Sequence, residues 1–365
     1  MHYRRAYYHC DHCHRGYFPW DEHAGLTHDR LTPAAEEAAA LAGCAAGSFG
    51  EASQKLLLKL AGLSLGTSTV RRVTEAAGRR VGEVLDAGGT FGARVQWDWH
   101  RDRHGRTVAY TSVDATGLGR QAGRGGKAEG RMVWVGMVYN PPPPRAEPPE
   151  PTRRREAMMA RYLAGLNTLE ELGGPLRRLA AQVGMEQAEL WIALTDGGNG
   201  LEEFMRSNFG RADLVLILDF WHAAKHLADL ARALYDGDEG RVQAALGSWR
   251  HTLRHEGGER LLAALAELEQ REGVGWTAAQ RESWEGETGY FRKNVGRMDY
   301  PVYEAHGWQI GSGPVESACK TVIGQRMKGG GMRWGEDGGD AVCHLRALFK
   351  SEGDGWDAFW ARSIN

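Results

Sequence analysis

The chain has 365 residues, 42% apolar and 25% charged, with a formal net charge of −2. That is the make-up of a folded protein large enough for two or three structural units, and it excludes a uniformly basic chain, so a polyanion would have to meet a local patch. No apolar run reaches the roughly 20 residues of a membrane span, no secretory signal is visible at the start, and five cysteines with a single close pair are no disulfide framework; a cytoplasmic protein with no membrane partner is expected.

Glycine is the compositional exception, at 50 residues against a usual share of about 7%. Residues 1–30 hold Cys10 and Cys13 in a C-x2-C knuckle among histidines and aromatics. A tight turn brings two such thiolates to one side, where they can take Zn²⁺, but a tetrahedral site needs four ligands. The other two would come from His9, His12, His14 or His23, or from a second, upstream knuckle that this sequence does not show. Read without a metal, the pair is two free thiols in a turn.

Residues 31–90 read as helical. Thr32 and Pro33 form a helix start, with Glu36 and Glu37 in the first turns. A second helix over about 50–62 is followed by the turn GLSLG. A third helix starts at Thr67 or Ser68 and carries Arg71 and Arg72. Helix, short glycine turn and basic helix is the pattern of a helix-turn-helix, and DNA contact is expected there; an ordinary helical hairpin has the same outline.

From about 107 the pattern becomes extended. TVAYTSVDATG gives a strand over Val108–Val113 ending in Asp114, and RMVWVGMVYN gives a second over 131–140, with a glycine- and arginine-rich loop between them. Seven of the 12 prolines lie in 141–151, a polyproline-like excursion over 140–156. Residues 157–184 read as one helix through Leu163, Leu166, Leu169, Leu172, Leu176 and Leu179. Two short apolar strands follow, Leu190–Leu194 running into Asp196 and Leu214–Leu218 running into Asp219. Continuous apolar strands alternating with helices predict an α/β core whose sheet is covered on both faces. Residues 223–305 are almost wholly helical. GSGPVESACK then places Glu316 in the first turns of a late helix, after Ser312 and Pro314.

Asp114, Asp196 and Glu316 each have a plain reading as turn or helix-start residues. On an α/β scaffold they have another. Acids at the carboxyl ends of strands face the crevice where ligands bind. Carboxylates gathered there repel one another unless a cation joins them, and Mg²⁺ is a hard ion that takes such oxygens. Two such ions can assist both the attacking and the leaving oxygen of a phosphodiester.

SVDATG, LTDGGNGL, LILDFWHAAKHL and GSGPVESACKTVIGQRMKGGGMRW together resemble the blocks of bacterial insertion-sequence transposases of the ISKra type, DDE enzymes with Mutator-like relatives. The resemblance runs from the Cys10 knuckle to about Leu348, and the last block is the most specific. It implies an α/β fold with a ribonuclease H-like core in two parts, 105–222 and 306–350. An all-helical insertion over 223–305 would separate them, and a partial zinc-ribbon-like knuckle (1–30) and the helical DNA-binding region (31–90) would precede them. It implies Mg²⁺-dependent DNA strand cleavage and strand transfer, with Mn²⁺ able to substitute, through Asp114, Asp196 and Glu316. Asp219 is the alternative second acid, and His222 is an auxiliary group that together with His226 would touch the scissile phosphate or brace the insertion.

Double-stranded DNA, as element ends and target, would be held by Arg71, Arg72, Lys320, Arg326, Lys328 and Arg333, with Trp334 stacking on a base. A homodimer on DNA in a bacterial nucleoid is implied as well. Two departures stand out. The upstream C-x2-C of the family pattern is missing, and prolines occupy the neighbourhood of the third strand. An inactive DNA-binding remnant and a ribonuclease H-like nuclease are the alternative readings.

Overall fold

The computed structural model describes residues 6–26, 31–121, 130–141, 157–198 and 200–362. Most of the expected arginine-rich loop and most of the proline excursion lie outside these residues. Near the start, β1 (Tyr8–His9) and β2 (Gly16–Tyr17) form a small antiparallel hairpin, followed by α1 (Pro19–His23). Helix α2 (Pro33–Ala45) starts as its sequence directs, with the Thr32 hydroxyl accepting the Ala35 N–H. Ser48 caps α3 (Phe49–Glu51), which runs on as a π-helical stretch over Ala52–Leu60. After a turn containing Gly62, α4 (Thr67–Asp86) follows.

The core sheet has five strands: β3 (Val108–Gly119), β4 (Gly130–Asn140), β5 (Met159–Gly165), β6 (Leu190–Thr195) and β7 (Val215–Leu218). Their order is β5-β4-β3-β6-β7. The pairs β3/β4 and β4/β5 are antiparallel, and β3/β6 and β6/β7 are parallel. Between strands lie α5 (Leu169–Gln182), opened by a Thr168/Glu171 capping box, and α6 (Leu201–Phe209).

Both faces of the sheet are buried, which explains its unbroken apolar runs. Val108, Tyr110, Leu190 and Ile192 join a core with the later helices. Their odd-numbered neighbours Ala109, Val113 and Ala193 join a second core with Leu172 and Leu176 of α5 and Phe204 of α6.

After β7 the chain is helical for a long stretch: α7 (Phe220–Leu234), α8 (Glu239–Glu256), α9 (Gly258–Glu272), α10 (Ala278–Asn294) and α11 (Tyr300–His306). The helix α12 (Gly313–Ala318) continues as a π-helical stretch, Cys319–Gly324, into α13 (Gln325–Met327), and α14 (Glu336–Lys350) and α15 (Gly355–Arg362) close the fold. No helix among the described residues is long and apolar enough to cross a membrane.

Two expectations change here. Residues 159–165 are a strand, and the helix expected over 157–184 begins only at Leu169. The leucines from 163 onward are spaced three or four apart and imitate a helix face. They belong to two elements, split where Thr168 and Glu171 cap a new helix. Ala160 and Ala164 face one core and Leu163 the other, as a strand buried on both faces requires. The third strand therefore follows the proline segment. The first strand, in turn, does not end at Asp114 but continues to Gly119, paired with β4 throughout.

The N-terminal helices are joined to the rest of the fold. A third core combines Val70, Val73, Ala77 and Val81 of α4 with Leu345 of α14 and Phe359 and Trp360 of α15. The crossing of α4 and α14 is so close that a Cβ on Gly78 would lie 1.9 Å from the Ala341 carbonyl oxygen.

Candidate active site

Asp114 has the strand parity of Val108 and Tyr110, so its side chain belongs to the face covered by the later helices. The parallel ladder between β3 and β6 ends at Ser112↔Leu194, and Asp114 stands two residues beyond it. One carboxylate oxygen accepts the Ala115 N–H at 2.7 Å, and the other faces the thiol of Cys319 at 3.7 Å. Burial raises the Asp114 carboxyl above the usual range. The charges of Asp196 and Glu316 push the same way, against the pull of the Ala115 N–H and the Cys319 thiol. The thiol is pushed up to about 12 by burial and by Asp114 itself, so it remains protonated and able to donate.

Asp196 directly follows β6. Its Oδ1 accepts the Gly198 N–H at 2.8 Å, a local turn bond. Gly197 has φ +84°, and a Cβ there would lie 2.7 Å from Leu218 Cδ1 and 2.9 Å from the Tyr290 hydroxyl oxygen. That hydroxyl donates to the Asp196 carbonyl oxygen at 3.0 Å. The glycine is thus required both by backbone conformation and by the close approach of α10.

Glu316 lies in the first turn of α12, where its N–H bonds the Ser312 carbonyl at 3.1 Å. The Ser312 hydroxyl oxygen lies 3.0 Å from Glu316 Oε1 and 2.6 Å from Asp219 Oδ2. Asp219 is 2% exposed and fully engaged, because its Oδ1 caps α7 by accepting the Trp221 N–H at 2.9 Å. The Phe220 N–H reaches the Ile310 carbonyl at 2.8 Å, tying the end of β7 to the segment that carries Glu316. Both oxygens of Asp219 are thus engaged by Ser312 and Trp221, whereas the Asp196 carboxylate makes its bond to the local Gly198 N–H and its charge acts on Asp114.

His226 bonds Glu287 at 2.7 Å and stacks on Tyr290, with ring centroids 3.8 Å apart. It braces α7 against α10. His222 sits edge-on to His226 at 5.0 Å and is half-buried.

The expected basic residues divide. Lys320, Lys328 and Arg333 are exposed, and the Lys328 ammonium bonds Thr116, two residues beyond Asp114. Arg71 and Arg72 are exposed near the start of α4, and Arg71 lies 3.9 Å from Glu75. Arg326 and Trp334, expected at a DNA surface, are instead 2% and 8% exposed. Arg326 donates to the Gly43 carbonyl at 2.7 Å and lies over the rings of Phe49 and Trp334. The Trp334 indole N–H donates to the Met327 carbonyl at 3.0 Å. Alternation of basic, glycine and aromatic residues does not distinguish a surface from a packed corner.

Ser312, Cys319 and Tyr290 are site residues that sequence reasoning missed. The first two carried a signal, since they stand four before and three after Glu316 and share its helix face.

Cys10 and Cys13 lie at the exposed turn of the β1/β2 hairpin, where the Cys10 N–H bonds the Arg15 carbonyl at 2.8 Å. The Cys10 thiol is held below its ordinary value, first by the Cys13 backbone N–H and then by the Cys13 side chain and the His12 N–H. His9, named as a further ligand, bonds Asp11 at 3.1 Å.

Among the described residues, no three His, Cys, Asp or Glu side chains form a group poised to hold a metal ion as they stand. The donor chemistry at Asp114, Asp196 and Glu316 nevertheless fits a hard divalent cation. All the donors are carboxylate oxygens, and Asp114 feels the charge of the other two. The chain matches no family model and no curated protein.

Proposed function

We propose that the protein is a DNA-cleaving and strand-transferring enzyme, a transposase of the DDE kind on a ribonuclease H-like core. The strand order, with the second strand antiparallel to the first and the fourth and fifth parallel to it, is the arrangement such a core has. The observation that carries the reading is the meeting of β3 with α12. Cys319, three residues after Glu316, faces Asp114, and the charges of Asp196 and Glu316 both act on Asp114, which supports reading the three acids as one site.

Asp114, Asp196 and Glu316 would hold Mg²⁺, which when bound supplies charge neutralisation at the attacking and leaving oxygens. The chain's own part is positioning. The Cys319 thiol and the Ala115 N–H orient Asp114, the Gly197–Gly198 turn orients Asp196, and Ser312 orients Glu316. Exposed Lys320, Lys328 and Arg333 hold the DNA backbone.

Incubating the full chain with a labelled duplex and Mg²⁺ tests the reading. Wild type should nick or join strands, and Glu316→Gln and Asp114→Asn should each lose at least about a hundredfold in rate. Equal cleavage by wild type and Glu316→Gln would end the assignment. Cleavage without any joined product would leave a nuclease in place of a transposase.

A further inference from the structure

Trp221 is 56% exposed, an unusual state for a tryptophan in a folded chain, and it stands at the rim of the acidic site. It lies in the first turn of α7, two residues after Asp219, which holds its backbone N–H. The ring is also held. A Cβ added at Gly311 would lie 2.9 Å from the indole Cδ1 and 3.1 Å from Nε1, so the glycine admits the edge of the ring against the segment bearing Ser312 and Glu316. The Arg250 guanidinium of α8 lies 5.5 Å from the ring centroid. Lys225, one turn along α7 from Trp221, is exposed. An aromatic ring fixed along one edge and open to water thus sits between cationic side chains and a cluster of carboxylates.

We propose that Trp221 is a stacking platform for an unpaired nucleobase next to the phosphodiester bond on which the acidic site acts; this rests on the function proposed above. An indole face takes any base, because every base has a π-face. Arg250 and Lys225 supply the positive charge that flanking phosphates require. The face of a base is hidden within a duplex, so the partner is a single strand or a nucleotide turned out of the helix.

Binding of the full chain is measured in the presence of a chelator, so that no strand is cut, with a short labelled single strand and with a blunt duplex of the same sequence. Trp221→Ala should weaken single-strand binding about tenfold. Trp221→Phe, which keeps a stacking face, should stay within about threefold of wild type, and duplex affinity should change by less than about twofold. Thermal melting of both variants should match wild type, because the ring is largely outside the core.

Several results would overturn the proposal. Single-strand affinity unchanged in Trp221→Ala, equal losses in the Ala and Phe variants, equal losses on single strand and duplex, or a wild-type chain that binds no single strand would each do so. The assay reads binding alone. A Trp221-dependent single-strand affinity in a chain that never cuts DNA would keep this inference and remove the catalytic reading. Cleavage that requires Glu316 without any dependence of single-strand binding on Trp221 would do the reverse.

Discussion

The hydroxyl oxygen of Ser312 stands 3.0 Å from the carboxylate of Glu316, one helical turn away, while lying 2.6 Å from buried Asp219. A serine hydroxyl has one proton to donate, and the shorter contact gives it to Asp219. Glu316 then faces the oxygen's lone pair, an arrangement that one added positive charge would settle. Ser312→Ala should therefore lower cleavage by about 10- to 100-fold, the range for losing a group that orients a metal ligand. It should also raise the Mg²⁺ concentration needed for half-maximal rate. Asp219 keeps its bond from the Trp221 N–H, so the helix start should survive. A variant with unchanged Mg²⁺ requirement would show that Ser312 does not position Glu316.

Asp114 should make stability depend on pH in an identifiable direction. Burial, assisted by the charges of Asp196 and Glu316, raises its carboxyl in the folded chain. The folded state thus favours the protonated form, and that contribution is full below the ordinary aspartate value of about 4 and is lost as pH rises through the raised value. At neutral pH the ionised carboxylate is a liability. Asp114→Asn should accordingly raise Tm at pH 7, and its advantage should fade as pH falls through the raised value and be gone below about 4. Mg²⁺ should raise the Tm of wild type at pH 7 more than that of Asp114→Asn, and a chelator should reverse it. Identical melting of the two proteins at pH 7 without metal would contradict the burden placed on Asp114.

Much of this site could be read from the chain because its elements have strong local signatures. Apolar runs ending in Asp196 and Asp219 mark buried strands, and Ser312 with Pro314 marks a helix start. What could not be read depends on contacts between distant elements. The strand over Met159–Gly165 was hidden because Leu163 and Leu166 fall into step with the leucines of α5, and only pairing with β4 distinguishes them. Arg326 and Trp334 look like surface residues until Gly43 of α2 and Phe49 of α3 are packed around them. That both oxygens of Asp219 are occupied, by Ser312 and Trp221, is likewise visible only in the fold.

Arg326 lends itself to a direct trial of core against DNA surface. Its guanidinium is bonded to the carbonyl of Gly43 near the C-terminal end of α2, where carbonyl dipoles favour a cation, and burial lowers it to about 10. Arg346 is its neighbour in the same corner, donating to the carbonyls of Cys44, Thr321 and Val322. Arg326→Ala should lower unfolding free energy by about 3 kcal/mol, through lost packing and an unsatisfied buried carbonyl. The folded fraction should bind duplex DNA as wild type does. Lys328→Ala and Arg333→Ala, both at exposed positions, should do the opposite, leaving the urea midpoint unchanged while weakening DNA binding and its salt dependence. A stable Arg326→Ala chain with weakened DNA affinity would return Arg326 to the DNA surface.

The union of the N-terminal helices with the sheet-bearing part of the fold can be tested at two glycines that sequence alone does not distinguish. Gly78 lies in the middle of α4 and Gly286 in the middle of α10. Helix propensity favours alanine at both by about 1 kcal/mol. At Gly286 nothing stands within 4 Å of an added Cβ, so Gly286→Ala should gain that amount. At Gly78 the added carbon would sit 1.9 Å from the Ala341 carbonyl oxygen, and no side chain can move aside to admit it. The helices would have to separate, at a cost of about 1–3 kcal/mol for overpacking. Urea unfolding should therefore show opposite signs for the two variants. If α4 were an independently hung DNA-binding element, both substitutions would stabilise. If it is part of one cooperative fold, Gly78→Ala should lower the midpoint of the whole transition and also slow cleavage near physiological temperature, because α14 lies against β5 of the sheet that carries Asp114.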